Sequence, residues 1–254
     1  GILNGTTNYI LTKMSQENLD FDEVLKEAQD LGYAERNPEA DVEGHDSSRK
    51  IAILSSLAYG QQVDYEDIYT EGITKISIND IKLAESMGYS IKLLGSSKKI
   101  DGKIYAMVAP TLIQSTHPLY SVNNVFNGIL IKGNVLGDVM FYGSGAGKLP
   151  TASAVVSDIV DEVKHLHTNI MTTWSSKKLV LGDIKDSTKS FFVRIEGNLE
   201  SRKEEVNAVF GLVSLVERED VVGEFAFRTA LLSEGDFLQK AKKLDGIINR
   251  MRIE

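Results

Sequence analysis

The last 64 residues, 191–254, carry the pattern that most restricts the fold. The run "FFVRIEG" has the alternation of a half-buried strand, and "ESRKEEVNAVFG" places Val206, Val209 and Phe210 on one helical face. Strand-like runs in "LVSLVERED" and "EFAFRTALL", a helix in "GDFLQKAKKLDG" and a final strand in "IINRMRIE" complete the pattern. Six elements in the order βαββαβ predict a split βαβ, or ferredoxin-like, arrangement.

Helices and a long hairpin are predicted before this tail. In "LDFDEVLKEAQDLG", Asp20 and Glu23 form the two halves of a capping box, and Gly32 is the residue type that ends a helix. The runs on either side of Asp101-Gly102 favour strands joined by a tight turn. The expected fold class is therefore α/β (α+β), a mixed sheet covered by helices and followed by the ferredoxin-like tail.

A polar, turn-rich stretch, "WSSKKLVLGDIKDSTKS" (174–190), separates the two patterns. Because domain boundaries fall in such stretches, we expect one domain over residues 1–180 and a second over 188–254. The sequence also begins at Gly1, without an initiator methionine and directly within patterned residues. We therefore expect the chain to be a piece of a longer protein.

Composition excludes several classes of partner. A formal net charge of −8 and an isoelectric point near 5.2 argue against nucleic acid, because nucleic-acid binders concentrate lysine and arginine on one face. The sequence has no cysteine, which excludes disulfides and fits a reducing cytoplasm. No apolar run approaches the roughly 20 residues of a membrane span, and no signal peptide is recognisable. We expect a cytoplasmic protein without a membrane partner.

The segment "LGYAERNPEADVEGHDSSRKIAIL" (31–54) concentrates acidic charge just before a helical run that carries Lys50. Five carboxylates lie within twelve positions: Glu35, Glu39, Asp41, Glu43 and Asp46. Asp46 and Lys50 are four residues apart and share a helical face. Two interpretations remain open at this point. The pair is either an ordinary surface ion pair, or a lysine oriented by a carboxylate so that it gives a proton to a polarised oxygen.

Metal binding is a weaker interpretation of the same acidic segment. Clustered carboxylates can wrap a hard cation, but the Asp-x-Asp-x-Asp-Gly register of a calcium loop is missing here. His165 and His167 are two residues apart on a predicted helix and point to different faces, unlike the i,i+4 histidine pair of helical zinc sites. We expect no metal site.

A glycine loop, "YGSGAGKLPTA", precedes a predicted helix. Backbone N–H groups at a helix start favour an anion, so the loop is a candidate for binding phosphate. It matches neither the Walker loop nor the dinucleotide fingerprint, because Tyr142 and Leu149 depart from the first and the spacing of Gly143, Gly145 and Gly147 departs from the second. Close backbone packing is the alternative explanation for its glycines.

Several motifs in this order resemble homoserine dehydrogenases: "GILNGTTNYILTKM", the block "EAQDLGYAERNPEADVEGHDSSRKIAILSSLAYG", "IKLLGSSKKIDGKI", "THPLYSV" and "FYGSGAGKLPTASAVVSDI". The resemblance runs from Gly1 to about Asp161. It implies an enzyme that interconverts L-aspartate 4-semialdehyde and L-homoserine with NAD or NADP, on the route to threonine, isoleucine and methionine. The family layout implies a substrate-binding and dimerisation domain over 1–180 and an ACT-like regulatory domain over 188–254.

The same resemblance assigns roles to individual residues. Lys50 matches the proton donor to the carbonyl oxygen, and Asp46 matches the substrate-binding carboxylate beside it. Glu35 matches the glutamate that holds the substrate ammonium group, a task that Asp41 shares. Further matches line the substrate at Gly5 and Thr6, and approach the cofactor at Gly32, Gly143, Gly145 and Gly147.

The sequence also departs from the family pattern. It has no dinucleotide-binding fingerprint, so we expect NAD or NADP to be bound mostly by a domain outside these residues, and the isolated chain to lack dehydrogenase activity. The tail segment "GNLESRKEEV" lacks the Asp-x-Pro-Gly of many ACT effector sites. A non-catalytic module that dimerises or binds an amino acid is the alternative function. A homodimer or higher homo-oligomer is expected in either case.

Overall fold

The computed structural model of the chain describes residues 1–169, 171 and 174–254. Its α-helices are α1 (Gly5–Glu17), α2 (Phe21–Asp30), α3 (Glu39–Val42), α4 (His45–Tyr59), α5 (Ile78–Ser86), α6 (Lys148–Lys164), α7 (Leu199–Phe210) and α8 (Glu234–Ala241). Its strands are β1 (Gln61–Gln62), β2 (Tyr69–Thr70), β3 (Tyr89–Ile100), β4 (Lys103–Gln114), β5 (Phe126–Gly133), β6 (Gly137–Ser144), β7 (Ser175–Lys178), β8 (Thr188–Glu196), β9 (Ser214–Val216), β10 (Glu224–Arg228), β11 (Leu232–Ser233) and β12 (Ile247–Ile253).

One mixed sheet of eight strands organises most of the molecule. Its path is β2, β4, β12, β8, β10 and β9, with β3 also paired to β4 and β11 paired to β8. Strand β4 runs antiparallel to β3 and parallel to β2 and β12. The register places Arg252 opposite Thr111 and Ile253 opposite Leu112, so the last strand of the chain joins the sheet of the first half. The predicted α/β (α+β) class with a mixed sheet is confirmed.

Local sequence signals determine several of these elements. The Asp20 side chain accepts a hydrogen bond from the backbone of Glu23, and the Glu23 carboxylate accepts one from the Asp20 backbone N–H, which completes the predicted capping box. At the predicted hairpin turn, Asp101 and Gly102 have φ angles of 49° and 81°. Positive φ at both central residues is the geometry that matches the twist of paired strands.

The tail has the predicted split βαβ arrangement. Strands β12, β8, β10 and β9 lie in that order, and each neighbouring pair is antiparallel. Helices α7 and α8 contribute to an aromatic core with these strands, and its fully buried phenylalanines are Phe191, Phe225, Phe227 and Phe237. Phe192, Ala226 and Met251 instead join the core of the first half, so the tail sheet packs on both sides.

The predicted linker 174–190 lies against the first half of the chain. Strand β7 pairs parallel with β1, and Lys178 Nζ lies 2.8 Å from a carboxylate oxygen of both Asp64 and Asp67. Leu179 and Leu181 pack against the core of the first half. This stretch is therefore held against the first half by strand pairing, ion pairs and apolar packing. The division into domains 1–180 and 188–254 stays a prediction.

A second, separate sheet is the hairpin of β5 and β6, and α6 follows it. No residue of α6 is buried in the part of the chain that the structure describes. We use the name apolar surface for the exposed large side chains of this hairpin and helix: Ile131, Val135, Leu136, Met140, Phe141, Tyr142, Leu149, Val155, Val156, Ile159, Val160 and Val163. An exposed apolar area of this kind usually marks an interface.

Among the residues that the structure describes, no helix is both long and apolar enough to cross a membrane.

Candidate functional site

Three helices fold the acidic segment into a compact turn. Helix α2 ends at Asp30, α3 is a single turn, and α4 begins directly after Gly44. Gly44 has φ 82°, and a Cβ there would lie 3.2 Å from side-chain atoms of both Thr70 and Val108. Because only glycine adopts this conformation freely, it allows the sharp turn that puts Asp46 into the first turn of α4.

Lys50 lies on α4 one turn after Asp46, as the spacing predicted. Its Nζ atom donates hydrogen bonds to Asp46 Oδ2 (2.7 Å) and to the backbone carbonyl oxygen of Leu3 (3.0 Å). A lysine ammonium has three N–H donors, so one remains available after these two bonds. The side chain of Lys50 keeps 46% of its surface exposed, which leaves this third donor open to a bound molecule.

Asn4 connects the two carboxylates nearest to Lys50. Its Nδ2 donates to Asp41 Oδ1 (2.7 Å) and to Asp46 Oδ2 (2.9 Å), while its Oδ1 caps α1 by accepting from the Thr7 backbone N–H (2.9 Å). Asn4 is not among the site residues predicted from the sequence. The available signal was its position as an N-cap residue in "NGTTN", next to the predicted Gly5 and Thr6.

Asp41 is half-buried, and its environment changes its acidity. Burial raises the pKa of the Asp41 carboxyl, and the negative charges of Asp46 and Glu35 raise it further, against the opposing effects of the Asn4 hydrogen bond and Lys50. Asp46, Glu35 and Lys50 therefore all act electrostatically on the Asp41 carboxyl. A cation placed beside Asp41 would relieve the cost of its buried charge.

Gly5 and Thr6 begin α1 beside this cluster. A Cβ at Gly5 would lie 2.8 Å from the backbone carbonyl oxygen of Val125, so only glycine fits without a shift. Thr6 Oγ1 donates to the backbone carbonyl oxygen of Tyr33 (2.7 Å). The start of α1 therefore contacts both the loop after α2 and the segment that leads into β5.

The glycine loop approaches the same cluster through Asn127 on β5. A Cβ at Gly145 would lie 2.8 Å from Asn127 Cγ, and Asn127 Nδ2 donates to the Leu3 carbonyl oxygen that also accepts from Lys50. Asn127, which Gly145 approaches closely, is thus linked to Lys50 by two hydrogen bonds that share the Leu3 carbonyl oxygen. Sequence reasoning missed Asn127, because a single polar residue in the run "NVFNGILIKGN" carries no recognisable signal.

Gly32, Gly143 and Gly147 were also predicted to lie at the site. In the described residues, 1–169, 171 and 174–254, they make no hydrogen bond to Asp41, Asp46 or Lys50. Gly32 and Gly147 have φ angles of 75° and 107°, and the Cβ positions of Gly32 and Gly143 face open space. Those same described residues contain no group of three or more metal-ligating side chains.

The chain was compared with known proteins. The family model for homoserine dehydrogenase matches residues 1–160. The homoserine dehydrogenase of Bacillus subtilis is 48% identical over 170 residues, which cover 67% of this chain and 39% of the relative. The homoserine dehydrogenase of Neisseria gonorrhoeae is 38% identical over 245 residues, covering 92% of this chain and 54% of the relative.

A solved structure extends the likeness over the tail. The crystal structure of a homoserine dehydrogenase from Thiobacillus denitrificans superposes with a TM-score of 0.87 at 32% identity, and it covers 99% of this chain and 62% of that protein. The chain thus spans 39% to 54% of the length of the two curated relatives. The acidic segment, Lys50 and the glycine loop all lie within the matched residues 1–160. On these grounds the chain belongs to the homoserine dehydrogenase family.

Proposed function

We propose that this chain provides the substrate site of a homoserine dehydrogenase, which interconverts L-aspartate 4-semialdehyde and L-homoserine. The observation that carries the proposal is the environment of Lys50. Its ammonium group is fixed by Asp46 and the Leu3 carbonyl oxygen, and a third donor is left over beside a carboxylate pair. Such a group can give a proton to a carbonyl oxygen and take it back.

The chemistry of the reaction uses this arrangement directly. When hydride reaches the carbonyl carbon of the semialdehyde, negative charge develops on its oxygen, and the free N–H of Lys50 can stabilise and protonate that oxygen. In the oxidation of homoserine, the neutral amine of Lys50 accepts the hydroxyl proton. The carboxylate of Asp46, 2.7 Å from Nζ, positions the nitrogen of Lys50 for proton transfer.

The substrate is also an amino acid, and its ammonium group needs a counter-charge. We propose that Glu35 and Asp41 provide it. Burial raises the pKa of Asp41, and the charges of Asp46 and Glu35 raise it further, so an ammonium group there removes an unfavourable interaction. Gly5 and Thr6 at the start of α1 line the substrate on the Asn4 side.

The family implies NAD or NADP, and the residues present fit one side of such a cofactor. Space is open around the Cβ positions of Gly32 and Gly143, while Gly145 lies against Asn127, two hydrogen bonds from Lys50. Helix α6 begins after Gly147 without a side-chain cap, so the backbone N–H groups of Lys148 and Leu149 have no such partner and can donate to a phosphate. A nicotinamide cofactor bound there supplies the hydride. We propose that most of its contacts come from a dinucleotide-binding domain outside these residues, so the chain alone gives no turnover.

Family membership also supports proposals about the pathway, the cellular location, the domains and the oligomeric state. We propose a cytoplasmic enzyme of the route to threonine, isoleucine and methionine. The strand order of the tail supports an ACT-type domain over 188–254, after a substrate-binding and dimerisation domain over 1–180. The apolar surface of α6 and the β5–β6 hairpin supports a homodimer, because a second copy would bury it.

Ligand binding tests the substrate site without turnover. We expect L-homoserine to shift the backbone NMR signals of residues 35–46 in a saturable way, and N-acetyl-L-homoserine, which has no ammonium group, to bind much more weakly. Asp41→Asn should weaken homoserine binding by roughly tenfold or more, the effect of losing a hydrogen bond to a charged group. Equal binding of the two ligands, or an unchanged affinity in Asp41→Asn, would show that the acidic segment does not hold the ammonium group.

A further inference from the structure

Two side chains share the Leu3 carbonyl oxygen as a hydrogen-bond acceptor. Lys50 Nζ donates to it at 3.0 Å, and Asn127 Nδ2 donates to it at 3.2 Å. A carbonyl oxygen has two lone pairs, so these two bonds use its full acceptor capacity. Because the Asn127 amide occupies one of the two directions, the ammonium group of Lys50 is restricted to the other.

Backbone pairing holds Leu3 beside Asn127. Ile2 and Gly128 exchange both of their backbone hydrogen bonds, at 2.8 and 3.1 Å, as an isolated antiparallel bridge. Leu3 directly follows Ile2, and Asn127 directly precedes Gly128. The bond between the Asn127 side chain and the Leu3 carbonyl oxygen therefore extends this bridge by one step toward Lys50.

The Asn127 amide contributes through its donor and not through its acceptor. Its Oδ1 atom is buried and has no hydrogen-bond partner among the residues that the structure describes. A half-turn of the amide would bring Oδ1 toward the Leu3 carbonyl oxygen, where two acceptors would face each other. A buried acceptor without a partner lowers the stability of the fold, so the contribution of this side chain lies in the bond that Nδ2 makes.

Gly145 lies against the other side of this amide. A Cβ at Gly145 would lie 2.3 Å from Asn127 Nδ2 and 2.8 Å from Asn127 Cγ, so a side chain there would displace the amide. The φ angle of Gly145 is outside the left-handed region, so backbone conformation alone does not require glycine. In contrast, the Cβ position of Gly143, in the same loop, faces open space. The Asn127 amide therefore explains why position 145 needs glycine.

We propose that Asn127 is a positioning residue for Lys50. Its amide fixes the direction from which the Lys50 ammonium group approaches the Leu3 carbonyl oxygen, and glycine at position 145 keeps the amide in place. The effect on homoserine rests on the proposed function of Lys50, whereas the geometry around Leu3 does not. The test therefore records both the environment of Lys50 and the binding of homoserine.

NMR of the chain with isotope-labelled lysine reports on the Lys50 side chain directly. Its Cε–Hε signal is assigned by its absence in Lys50→Arg. We expect Asn127→Ala and Gly145→Ala to shift this signal, because the first removes the amide and the second displaces it. The Lys240 signal should stay in place and is the internal reference, since Lys240 Nζ donates to the Val209 carbonyl oxygen in the tail (2.7 Å).

The double variant separates a specific contact from general damage. The three atoms nearest to a Cβ at position 145 all belong to the Asn127 amide, and Asn127→Ala removes them. Gly145→Ala should therefore cause little further shift of the Lys50 signal in that background, whereas two independent perturbations would add. Gly133→Ala, on the same hairpin, is the matched control. Its Cβ would lie 3.6 Å from the nearest atom, so the Lys50 signal should stay unchanged.

Titration with L-homoserine gives the functional readout. Asn127→Ala and Gly145→Ala should each weaken homoserine binding by about threefold to tenfold, the effect of one hydrogen bond. The double variant should bind like Asn127→Ala, and Gly133→Ala should bind like the wild type. A wild type that does not bind homoserine would contradict the proposed function, and the Lys50 signals would still test the positioning role.

Three results would overturn the proposal. An unmoved Lys50 signal in Asn127→Ala, or additive shifts in the double variant, excludes Asn127 as the residue that positions Lys50. An unchanged homoserine affinity in a variant whose Lys50 signal has moved excludes a role in substrate binding.

Loss of folding in a single variant is also decisive. If Gly145→Ala does not fold, we expect the added Asn127→Ala to restore folding, and a double variant that stays unfolded contradicts the contact between the two residues. If Asn127→Ala does not fold, Asn127→Ser replaces it in every comparison, because the serine side chain is one atom too short to keep the bond to Leu3.

Discussion

One asparagine and one backbone carbonyl hold the charged groups of the site. Asn4 donates to both Asp41 and Asp46, and the Leu3 carbonyl oxygen accepts from Lys50. The sequence identified Asp46 and Lys50 as a pair because they are four residues apart on one helix. It could not identify Asn4 or Leu3, because these residues contact the pair only in the folded chain, across separations of 42 and 47 positions.

Lys92 is a second lysine with an unusual environment. It is 1% exposed on β3, and its Nζ donates to the Val122 carbonyl oxygen (2.7 Å) and to Asn123 Oδ1 (2.8 Å). Burial lowers its pKa from 10.5 to about 8. Below pH 8 the lysine is charged in both folded and unfolded chains. Between pH 8 and 10.5 only the unfolded chain keeps the proton, so this group adds stability as the pH rises.

This linkage predicts a pH-dependent difference between two proteins. The free energy of unfolding of the wild type should rise relative to that of Lys92→Met between pH 7.5 and pH 10. Urea unfolding at several pH values measures the difference, and Lys26→Met, a change at an exposed lysine on α2, is the control. A difference between wild type and Lys92→Met that stays constant over this range would contradict the lowered pKa.

At the level of elements, sequence signals were sufficient where structure is local. The capping box of α2 and the Asp101-Gly102 turn could be predicted because all the interacting groups lie within four residues. The short strands β1, β2 and β7 could not, because two to four residues carry no periodicity and their partners are distant in sequence. The pairing of β12 with β4 could not be predicted either, because the two strands are distant in sequence.

Residues 70–76, which we call the strap, offer a prediction about a tertiary contact of this kind. Gly72→Ala would place a Cβ 2.5 Å from Glu43 Cα, a backbone atom, so the strap or the acidic segment must move. We expect a loss of about 1–3 kcal/mol in the free energy of unfolding, together with weaker homoserine binding. Gly235→Ala is the matched control. Its Cβ would lie 3.4 Å from the nearest atom, and alanine favours the helix that contains it.

Urea unfolding and homoserine titration of both variants make the comparison. If Gly72→Ala is as stable as Gly235→Ala and binds homoserine equally well, the close contact between the strap and Glu43 does not restrain the acidic segment.

At the level of the molecule, the apolar surface predicts self-association. Val156 and Ile159 are 57% exposed on the same side of α6. Because a second copy would bury this side, Val156→Asp with Ile159→Asp should convert a dimer into a monomer, while thermal stability of the monomer changes little. Gln239→Glu, which adds a negative charge to the exposed side of α8, is the control. Sedimentation equilibrium measures the mass, and a variant that remains dimeric would exclude this surface as the interface.

A buried ion network on strand β12 links the two halves of the molecule. Arg252 of β12 is fully buried between Glu71 of the strap and Glu234 of the tail, so it bonds to both halves. Removal of one partner from a buried ion network leaves an uncompensated charge, which makes such contacts costly to break. The order of elements in the tail was predictable from sequence, but this joint depends on charges that lie some 180 positions apart.

We propose that Lys50 transfers the proton in the dehydrogenase reaction. Its most direct test is the rate of homoserine oxidation by a longer polypeptide that joins a dinucleotide-binding domain to this chain, comparing Lys50→Met with Lys26→Met. We predict that kcat falls about 10²- to 10⁴-fold in Lys50→Met, the usual contribution of a positioned acid or base, and stays near the wild-type value in Lys26→Met. A Lys50→Met enzyme that oxidises homoserine at nearly the wild-type rate would contradict the account.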